Sequence, residues 1–137
     1  MNKLTCFELT VEHHVAHLVM NRADRMNALD MGFWRELDDV LQQLHQGKEA
    51  RALVISSTGK HFSAGVELDQ WAPIFGSGQG MPLIQDGIDP FGMQGERHSK
   101  PIVMAVQGYC FTWGVEILLN TEIRIAASDT QFQMLEV

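Results

Sequence analysis

The order of apolar strand, small-residue turn and helix start occurs twice, and this repetition restricts the fold more than any other sequence feature. The first passage covers residues 52 to 70 and the second covers residues 102 to 120. Each begins with a short, almost wholly apolar segment, which is typical of a strand buried on both faces. Two such units in succession predict an α/β chain coiled into similar turns rather than a doubly wound sheet.

The segments around these units have their own periodicity. Phe7, Leu9 and Val11 alternate with polar residues before a second apolar run, which predicts a strand hairpin. Apolar residues at three- and four-residue steps between Asp30 and Gly47 predict a helix with Asp30 as its N-cap. The stretch from residue 72 to 99 has three prolines and six glycines, so we expect an irregular loop with one helical turn. A strand is predicted over residues 122 to 127.

Composition and charge exclude several classes of partner. The 137 residues fit one domain, and their net charge of −7, with no basic cluster, predicts neither nucleic acid nor a membrane surface as a partner. Only two cysteines are present, which favours a reduced, cytoplasmic location over a disulfide framework. No segment has the apolar length of a signal peptide or of a membrane-spanning helix.

The two turns, at residues 61 to 68 and 108 to 116, are the first candidates for chemistry. Backbone N–H groups at a helix start have no partner within the helix and favour an anionic oxygen. Two such turns could direct their N–H groups at one oxygen and form an oxyanion hole. The alternative interpretation is a pair of tight turns that need small residues for packing.

Two acids are the second candidates. Glu116 follows the second turn, and Glu136 lies 20 residues later, so a helix and a strand separate them. The returning chain can bring both carboxylates to one cavity, where one accepts a proton and the other donates one. The alternative is that either is a solvated surface acid. Ser63 and Gly65 match only half of a nucleophile elbow, because His61 stands where the first glycine should be, so we do not expect serine hydrolysis. The histidines have no carboxylate or thiol partner at metal-ligand spacing, so we expect no metal site.

Five segments carry a resemblance to a known family. Residues 21–29, NRADRMNAL, resemble the N-R-P-x-x-x-N-A-L segment of crotonases, the enoyl-CoA hydratase/isomerase superfamily. Residues 59–68 resemble their G-x-x-F-x-A-G-x-D-L turn, and residues 100–116 resemble K-P-x-I-A-A-V-x-G-x-x-x-G-G-G-x-E. Residues 123–127 and 132–137 resemble D-I-R-I-A and F-x-x-P-E-V. The order and spacing agree over nearly the whole chain.

The resemblance implies roles for particular residues. The oxyanion donors would be the backbone N–H groups of Val66 and Trp113, and the catalytic acids would be Glu116 and Glu136. Contacts with coenzyme A are implied at Arg25, Met26, Ala28, Ala64, Gly65 and Leu68. The family's glycine run is Thr112-Trp113-Gly114 here, so an indole would narrow or reshape the acyl pocket.

The resemblance also implies an architecture. Residues 1–137 would form the N-terminal part of a crotonase-like spiral of ββα turns, incomplete at the C-terminus because family members continue for a comparable length. Such enzymes assemble as trimers or dimers of trimers and need no metal or redox cofactor, since coenzyme A enters as part of the acyl-CoA thioester. A spiral that stops midway is expected to expose apolar surface and to associate with a partner or with itself.

The leading functional hypothesis is a 2-enoyl-CoA hydratase of fatty acid β-oxidation, a lyase that adds water across the C2–C3 double bond through a thioester enolate. A close rival is a dienoyl-CoA isomerase, because residues 61–65 and 132–137 also resemble that branch. That branch uses a further acid beyond residue 137. A third hypothesis is a non-catalytic fragment that binds coenzyme A or a partner subunit.

Overall fold

The computed structural model describes residues 3–80 and 82–135. Seven strands lie in this part of the chain: β1 Phe7–Glu12, β2 Val15–Met20, β3 Ala52–Ser57, β4 Ile102–Val106, β5 Tyr109–Phe111, β6 Ile123–Ala126 and β7 Gln131–Gln133. The described α-helices are α1 Met31–Gln46, α2 Leu68–Gly76, α3 Pro82–Gln85 and α4 Trp113–Leu119. A single 3-10 turn, Ala23–Arg25, connects β2 with α1.

The predicted hairpin is confirmed. Strands β1 and β2 pair antiparallel, with Phe7 opposite Met20. The two connecting residues, His13 and His14, both have positive φ, at 49° and 64°. This left-handed pair is the backbone of a type I′ turn, whose twist matches that of the flanking strands.

The predicted helix is also confirmed as α1. The Asp30 side chain accepts a hydrogen bond from the Phe33 N–H at 2.8 Å, as an N-cap should. Arg22 forms an ion pair with the same carboxylate at 2.5 Å. At the other end the Lys100 amino group donates to the carbonyls of Leu44 and Gly47, which have no partner within the helix. Both ends of α1 are therefore anchored by side chains.

The strands form a spiral. In the larger sheet the order is β1-β2-β3-β4-β6, and β2, β3, β4 and β6 are mutually parallel. A smaller layer contains the parallel pair of β5 and β7 and an isolated parallel bridge between Ser63 and Cys110. Each turn of the chain thus passes through a strand of the large sheet, a short extended segment of the small layer and then a helix. This is the coiled α/β arrangement that the repeated units predict.

The stretch from residue 72 to 99 differs from expectation in one respect. Residues 72 to 76 continue α2 as helix, although Pro73 lies inside it. Trp71, just before this proline, is fully buried and its indole N–H donates to the Leu29 carbonyl at 3.0 Å. The buried Trp71 and its hydrogen bond hold α2 in place, although Pro73 has no backbone N–H to donate within the helix. The expected helical turn is α3, and the helix start predicted within residues 52 to 70 lies at Leu68.

Apolar side chains are exposed on the last two strands. Ile123 and Ile125 of β6 are 52% and 57% exposed, and Phe132 of β7 is 50% exposed. β6 is the last strand in the order of the large sheet, so its outer edge has no neighbouring strand among the described residues. The prediction of exposed apolar surface is confirmed, whereas association through it stays a prediction. None of the described helices is both long enough and apolar enough to cross a membrane.

Candidate functional site

The two turns predicted to carry chemistry lie side by side. The bridge between Ser63 and Cys110 is made by the Ser63 N–H, which donates to the Tyr109 carbonyl at 3.0 Å, and by the Phe111 N–H, which donates to the Ser63 carbonyl at 3.1 Å. Val66 and Trp113 each lie three residues after the bridged pair. The parallel register therefore places the two predicted donors at equivalent positions of adjacent turns.

Contact between the turns is closest at Gly65. Gly65 has φ +95°, and a Cβ on this residue would overlap Thr112 Oγ1 and lie 3.1 Å from the Phe111 carbonyl oxygen. Only glycine fits here for two reasons. Any other residue would be strained at this positive φ, and its Cβ would overlap atoms of the neighbouring turn. The N–H groups of Val66 and Trp113 directly follow these two contacting residues.

The backbone N–H groups of the residues around Val66 are hydrogen-bonded within the protein. The N–H groups of residues 62, 63, 64, 65 and 67 all donate to protein acceptors. The carbonyl of Gly65 accepts from the Leu29 N–H at 2.7 Å, and the Glu67 N–H donates to the Leu29 carbonyl at 3.0 Å. Among the described residues no acceptor is found for the Val66 N–H or the Trp113 N–H. That both bind one oxygen stays a prediction.

The residues predicted to contact coenzyme A come from two segments that the structure joins. Arg25, Met26 and Ala28 lie before α1, and Ala64, Gly65 and Leu68 lie at the start of α2. The Ala64 N–H donates to the Met26 carbonyl at 3.0 Å, which ties the two segments together. Leu68 is 67% exposed and Met26 is 40% exposed, so both can be reached from solvent. The role of these residues in binding stays a prediction.

Arg25 is already paired in this structure. Its Nε and Nη2 donate to the two carboxylate oxygens of Glu67 at 3.1 and 2.9 Å, in a bidentate arrangement. Because the Arg25 side chain is 49% exposed, this ion pair contributes little to stability. A phosphate of coenzyme A would have to share or displace the Glu67 carboxylate. Sequence analysis missed Glu67 as a partner, although it occupies the acidic position of the turn motif.

Glu116 lies in α4 and lines a cavity of about 230 Å³. Most of the other lining residues are apolar: Trp34, Leu83, Ile88, Pro90, Phe91, Met93 and Ile117. The segment after α3 supplies half of this wall, and sequence analysis missed it because its apolar residues have no period. The second predicted acid, Glu136, lies outside the described residues, so its proximity to Glu116 stays a prediction.

The indole of Trp113 packs within an aromatic cluster, defined by Trp34, Trp71, Phe75 and Trp113. Trp113 makes edge contacts with Trp71 and Trp34, at centroid distances of 4.8 and 5.4 Å. Trp34 of the same cluster also lines the cavity that holds Glu116. The cluster therefore connects the turn that carries the Trp113 N–H with the cavity wall, which is consistent with an indole that shapes the acyl pocket.

Two potential nucleophiles in these turns, the Ser63 hydroxyl and the Cys110 thiol, are buried inside the protein. The Ser63 hydroxyl is fully buried, donates to the Asn27 carbonyl at 2.9 Å and accepts from the Gly65 N–H at 3.0 Å. Burial raises the pKa of the Cys110 thiol to about 12, so it is neutral at physiological pH. Neither side chain is available for nucleophilic catalysis.

A larger cavity, of about 430 Å³, lies elsewhere, between α1 and the segment after α3. It is lined by His45, Glu96 and His98 but by none of the predicted site residues. No group of three or more potential metal ligands is found in residues 3–80 and 82–135. We therefore place the candidate site at the two turns and the Glu116 cavity, on chemistry rather than on size.

The chain is similar to known proteins in both sequence and structure. The family model described as enoyl-CoA hydratase/isomerase matches residues 10–137. The mitochondrial Δ(3,5)-Δ(2,4)-dienoyl-CoA isomerase of Homo sapiens is 33% identical over 93% of this chain and 42% of its own length. A mevalonyl-coenzyme A hydratase of Aspergillus fumigatus is 28% identical over 90% of this chain and 45% of its own length.

Solved structures match over a similar span. An enoyl-CoA hydratase/isomerase from Mycobacterium paratuberculosis superposes with a TM-score of 0.76 and 25% identity, covering 98% of this chain and 50% of that one. An enoyl-CoA hydratase from Shewanella pealeana gives a TM-score of 0.80 at 24% identity, which shows a shared fold, covering 95% of this chain and 49% of that one. The chain thus spans about half the length of the proteins it matches.

Proposed function

The chain belongs to the enoyl-CoA hydratase/isomerase family, and from this premise we propose that the full-length protein isomerises a 3,5-dienoyl-CoA to the 2,4-dienoyl-CoA. Its α/β spiral is the crotonase fold, present over about half of each matched chain. Sequence analysis placed hydration first and isomerisation second. The order is reversed here because six of the relatives in the comparison are dienoyl-CoA isomerases.

The observation that carries the proposal is the position of Glu116 in a mainly apolar cavity. An acyl chain fits such a cavity, because burial of apolar surface favours its binding. A carboxylate at the wall can exchange a proton with a carbon atom of that chain directly. Isomerisation needs this exchange and consumes no water.

The reaction balances with two proton transfers. A carboxylate removes the C2 proton, and the electron pair of that C–H bond moves toward the thioester oxygen to give a trienolate with double bonds at C1, C3 and C5. A protonated acid then delivers a proton to C6, and the double bonds come to lie at C2 and C4. We propose that Glu116 and Glu136 take part in these proton transfers, together with the further acid that the isomerase branch uses beyond residue 137. No metal or redox cofactor is needed, since no atom is oxidised or reduced.

The charge on the thioester oxygen would be held by the two backbone donors. The N–H groups of Val66 and Trp113 have no acceptor among the described residues, and their turns meet at Gly65 and Thr112. Removing one donor of such a pair typically slows a reaction by about 10²–10³. Coenzyme A would lie along the surface of Met26 and Leu68, within reach of Arg25.

Hydration is the second candidate, and one observation favours it. Relatives in the comparison include the mevalonyl-coenzyme A hydratase and a hydroxycinnamoyl-CoA hydratase-lyase of Pseudomonas fluorescens, at 28% and 27% identity. In a hydratase the same two acids would hold a water molecule, add it at C3 and protonate C2.

We also propose that the full-length protein is a homo-oligomer, because contact with another subunit would bury the exposed apolar side chains of β6 and β7.

The test measures both reactions with the full-length protein. Isomerisation of a 3,5-dienoyl-CoA creates a diene conjugated with the thioester and raises near-ultraviolet absorbance, whereas hydration of a 2-enoyl-CoA lowers it. Glu116→Gln and Glu136→Gln are each expected to reduce kcat for isomerisation by at least about 10² while changing affinity for the ester little. Glu8→Gln, on the exposed face of β1, is the matched control.

Each outcome selects one function. Isomerisation that is lost in both site variants and kept in the control supports the proposal. Hydration without isomerisation replaces it with the hydratase. Binding of the CoA ester without either reaction leaves only the non-catalytic binding protein that the sequence also allows.

A further inference from the structure

Thr112 has a backbone conformation that a threonine rarely adopts. It lies between β5 and α4 with φ 48° and ψ −112°. A β-branched residue at positive φ is an outlier, because its Cβ meets the neighbouring backbone. The resembled family motif has glycine at this position. The chain therefore keeps a side chain where the backbone favours none, and such outliers concentrate at functional sites.

The hydroxyl of Thr112 has no hydrogen-bond partner among the described residues. Only 3% of the residue is exposed, and Oγ1 is a buried oxygen for which no partner is found within the described part of the chain. Buried hydroxyl groups are nearly always hydrogen-bonded, since an unpaired one loses its interaction with water and gains nothing. An unpaired buried hydroxyl at a strained residue suggests that its partner is a ligand.

The backbone angles place this side chain beside the Trp113 N–H. At ψ −112° the Cβ of an L-residue nearly eclipses the nitrogen of the next residue. In a trans peptide the amide hydrogen points to the same side as the preceding Cα. The Thr112 side chain and the Trp113 N–H therefore face the same small region of space.

Oγ1 of Thr112 also lies against the other turn. A Cβ on Gly65 would overlap this oxygen, so Oγ1 is close to the Gly65 Cα. The Val66 nitrogen is two covalent bonds from that Cα, just as the Trp113 nitrogen is two bonds from the Cα of Thr112. The Thr112 hydroxyl and the N–H groups of Val66 and Trp113, for which no acceptor is found among the described residues, therefore all lie at the contact between the two turns.

We propose that the Thr112 hydroxyl is a third hydrogen-bond donor to the thioester oxygen, and so a catalytic residue beside the two backbone N–H groups. The proposal rests on the proposed function, because it presumes that a CoA thioester occupies the site. Rotation about the Thr112 Cβ–Oγ1 bond directs the hydroxyl hydrogen toward the thioester oxygen as negative charge develops there. The strain at Thr112 is retained because glycine, the residue that relieves it, has no hydroxyl.

The competing explanation is that Thr112 is only a plug that fills the space between the turns. The two explanations differ in what they require of the side chain. A plug needs volume and tolerates valine, which has nearly the shape of threonine. A donor needs the hydroxyl and tolerates serine.

The experiment uses a 3-oxoacyl-CoA, which ionises at C2 to an enolate with its own absorption band but undergoes neither hydration nor isomerisation. Titration of the full-length protein with bound ligand measures how strongly the site stabilises the negative oxygen. Thr112→Val is expected to raise the pKa of the bound ligand by about 1 to 2, because a hydrogen bond to a charged oxygen contributes a factor of about 10 to 100. Thr112→Ser is expected to lie nearer to the unmodified protein.

Thr121→Val is the matched control, since it removes another buried hydroxyl, one that donates to the Leu118 carbonyl at 2.6 Å. It is expected to lower thermal stability and leave the pKa of the bound ligand unchanged. If Thr112→Val folds and leaves that pKa unchanged, the hydroxyl is not a donor. If Thr112→Gly stabilises the enolate more than threonine does, the side chain is a plug and the proposal is wrong.

Failure of the two proposals can be told apart. Isomerisation by the unmodified protein that is unaffected by Thr112→Val refutes the third donor alone. Enolate stabilisation that depends on the Thr112 hydroxyl, in a protein that isomerises no dienoyl ester, refutes the proposed reaction alone. Absence of any CoA-ester binding refutes both.

Discussion

Replacing Gly65 by alanine tests whether contact between the two turns is as close as the structure indicates. The new Cβ would overlap Thr112 Oγ1 and approach the Phe111 carbonyl oxygen to 3.1 Å, and φ +95° disfavours any L side chain. A left-handed backbone costs an ordinary residue about 1–2 kcal/mol. Forcing a methyl group into packed surroundings costs about 1–3 kcal/mol more. We therefore expect Gly65→Ala to lower the free energy of unfolding by about 2–5 kcal/mol.

Gly78 provides the control that separates these two contributions. It also has positive φ, at +68°, but nothing lies within 4 Å of the position its Cβ would take. Gly78→Ala should therefore lose only the backbone contribution of about 1–2 kcal/mol. Combining Gly65→Ala with Thr112→Gly removes the obstructing hydroxyl, so the double variant should recover the packing contribution of about 1–3 kcal/mol as a coupling energy.

Urea unfolding followed by tryptophan fluorescence measures these differences, since Trp71 and Trp113 lie close to the turns. With slopes of about 1–3 kcal/mol per molar urea, a loss of about 2–5 kcal/mol moves the midpoint by about 0.7–5 M. Equal losses for Gly65→Ala and Gly78→Ala, or a coupling energy below about 0.5 kcal/mol, would show that the turns are not in contact, and the arrangement of the two donors would then be wrong.

Three further outcomes are expected. Replacing His13 and His14 by Asn and Gly should raise the free energy of unfolding by about 0.5–1 kcal/mol, because those residues favour the positive φ of both positions; an unchanged urea midpoint would contradict the type I′ turn. Asp30→Ala should lower it by about 0.5–2 kcal/mol through loss of the N-cap, whereas Asp30→Asn keeps an acceptor for the Phe33 N–H and should lose less. Burial lowers the pKa of His98 below its ordinary 6.5, so the unfolded chain binds more protons and stability should fall as the pH drops below 6.5. His98→Gln should reduce this slope in urea unfolding measured across that range.

Sequence periodicity predicted the elements whose signal is local. Helix α1 and strand β1 were predicted because apolar residues recur there at the period of their own backbone, and β2 was predicted because an apolar run follows the His13-His14 turn. Strands β5 and β7 have three residues each and pair with one another across the chain, Tyr109 with Gln131. Three residues are too few to show a period, and a partner that distant gives no local signal.

Only part of the candidate site was predicted, again because only some of its segments carry a local signal in the sequence. The turns were identified because small residues and glycines are required where Gly65 meets Thr112. The cavity wall supplied by Ile88, Phe91 and Met93 was missed, since an irregular segment positions its side chains through tertiary contacts and not through a repeat. Thr112 did carry a signal, as a β-branched residue at a glycine position of the motif, but only its backbone angles show what that departure does to the site.

The hydrogen-bond pattern of the first turn distinguishes a binding site from a merely well-packed turn. Packing alone would satisfy every backbone N–H, because each unpaired buried donor lowers stability. Within residues 3–80 and 82–135, every N–H from Phe62 to Glu67 has an acceptor except that of Val66, although the Ser63 hydroxyl and the Leu29 carbonyl show that acceptors are close on both sides. In the adjacent turn, the Trp113 N–H and the Thr112 hydroxyl also have no partner in that part of the chain. Three neighbouring donors for which the described residues supply no acceptor support a site whose acceptor is a negatively charged oxygen of a ligand.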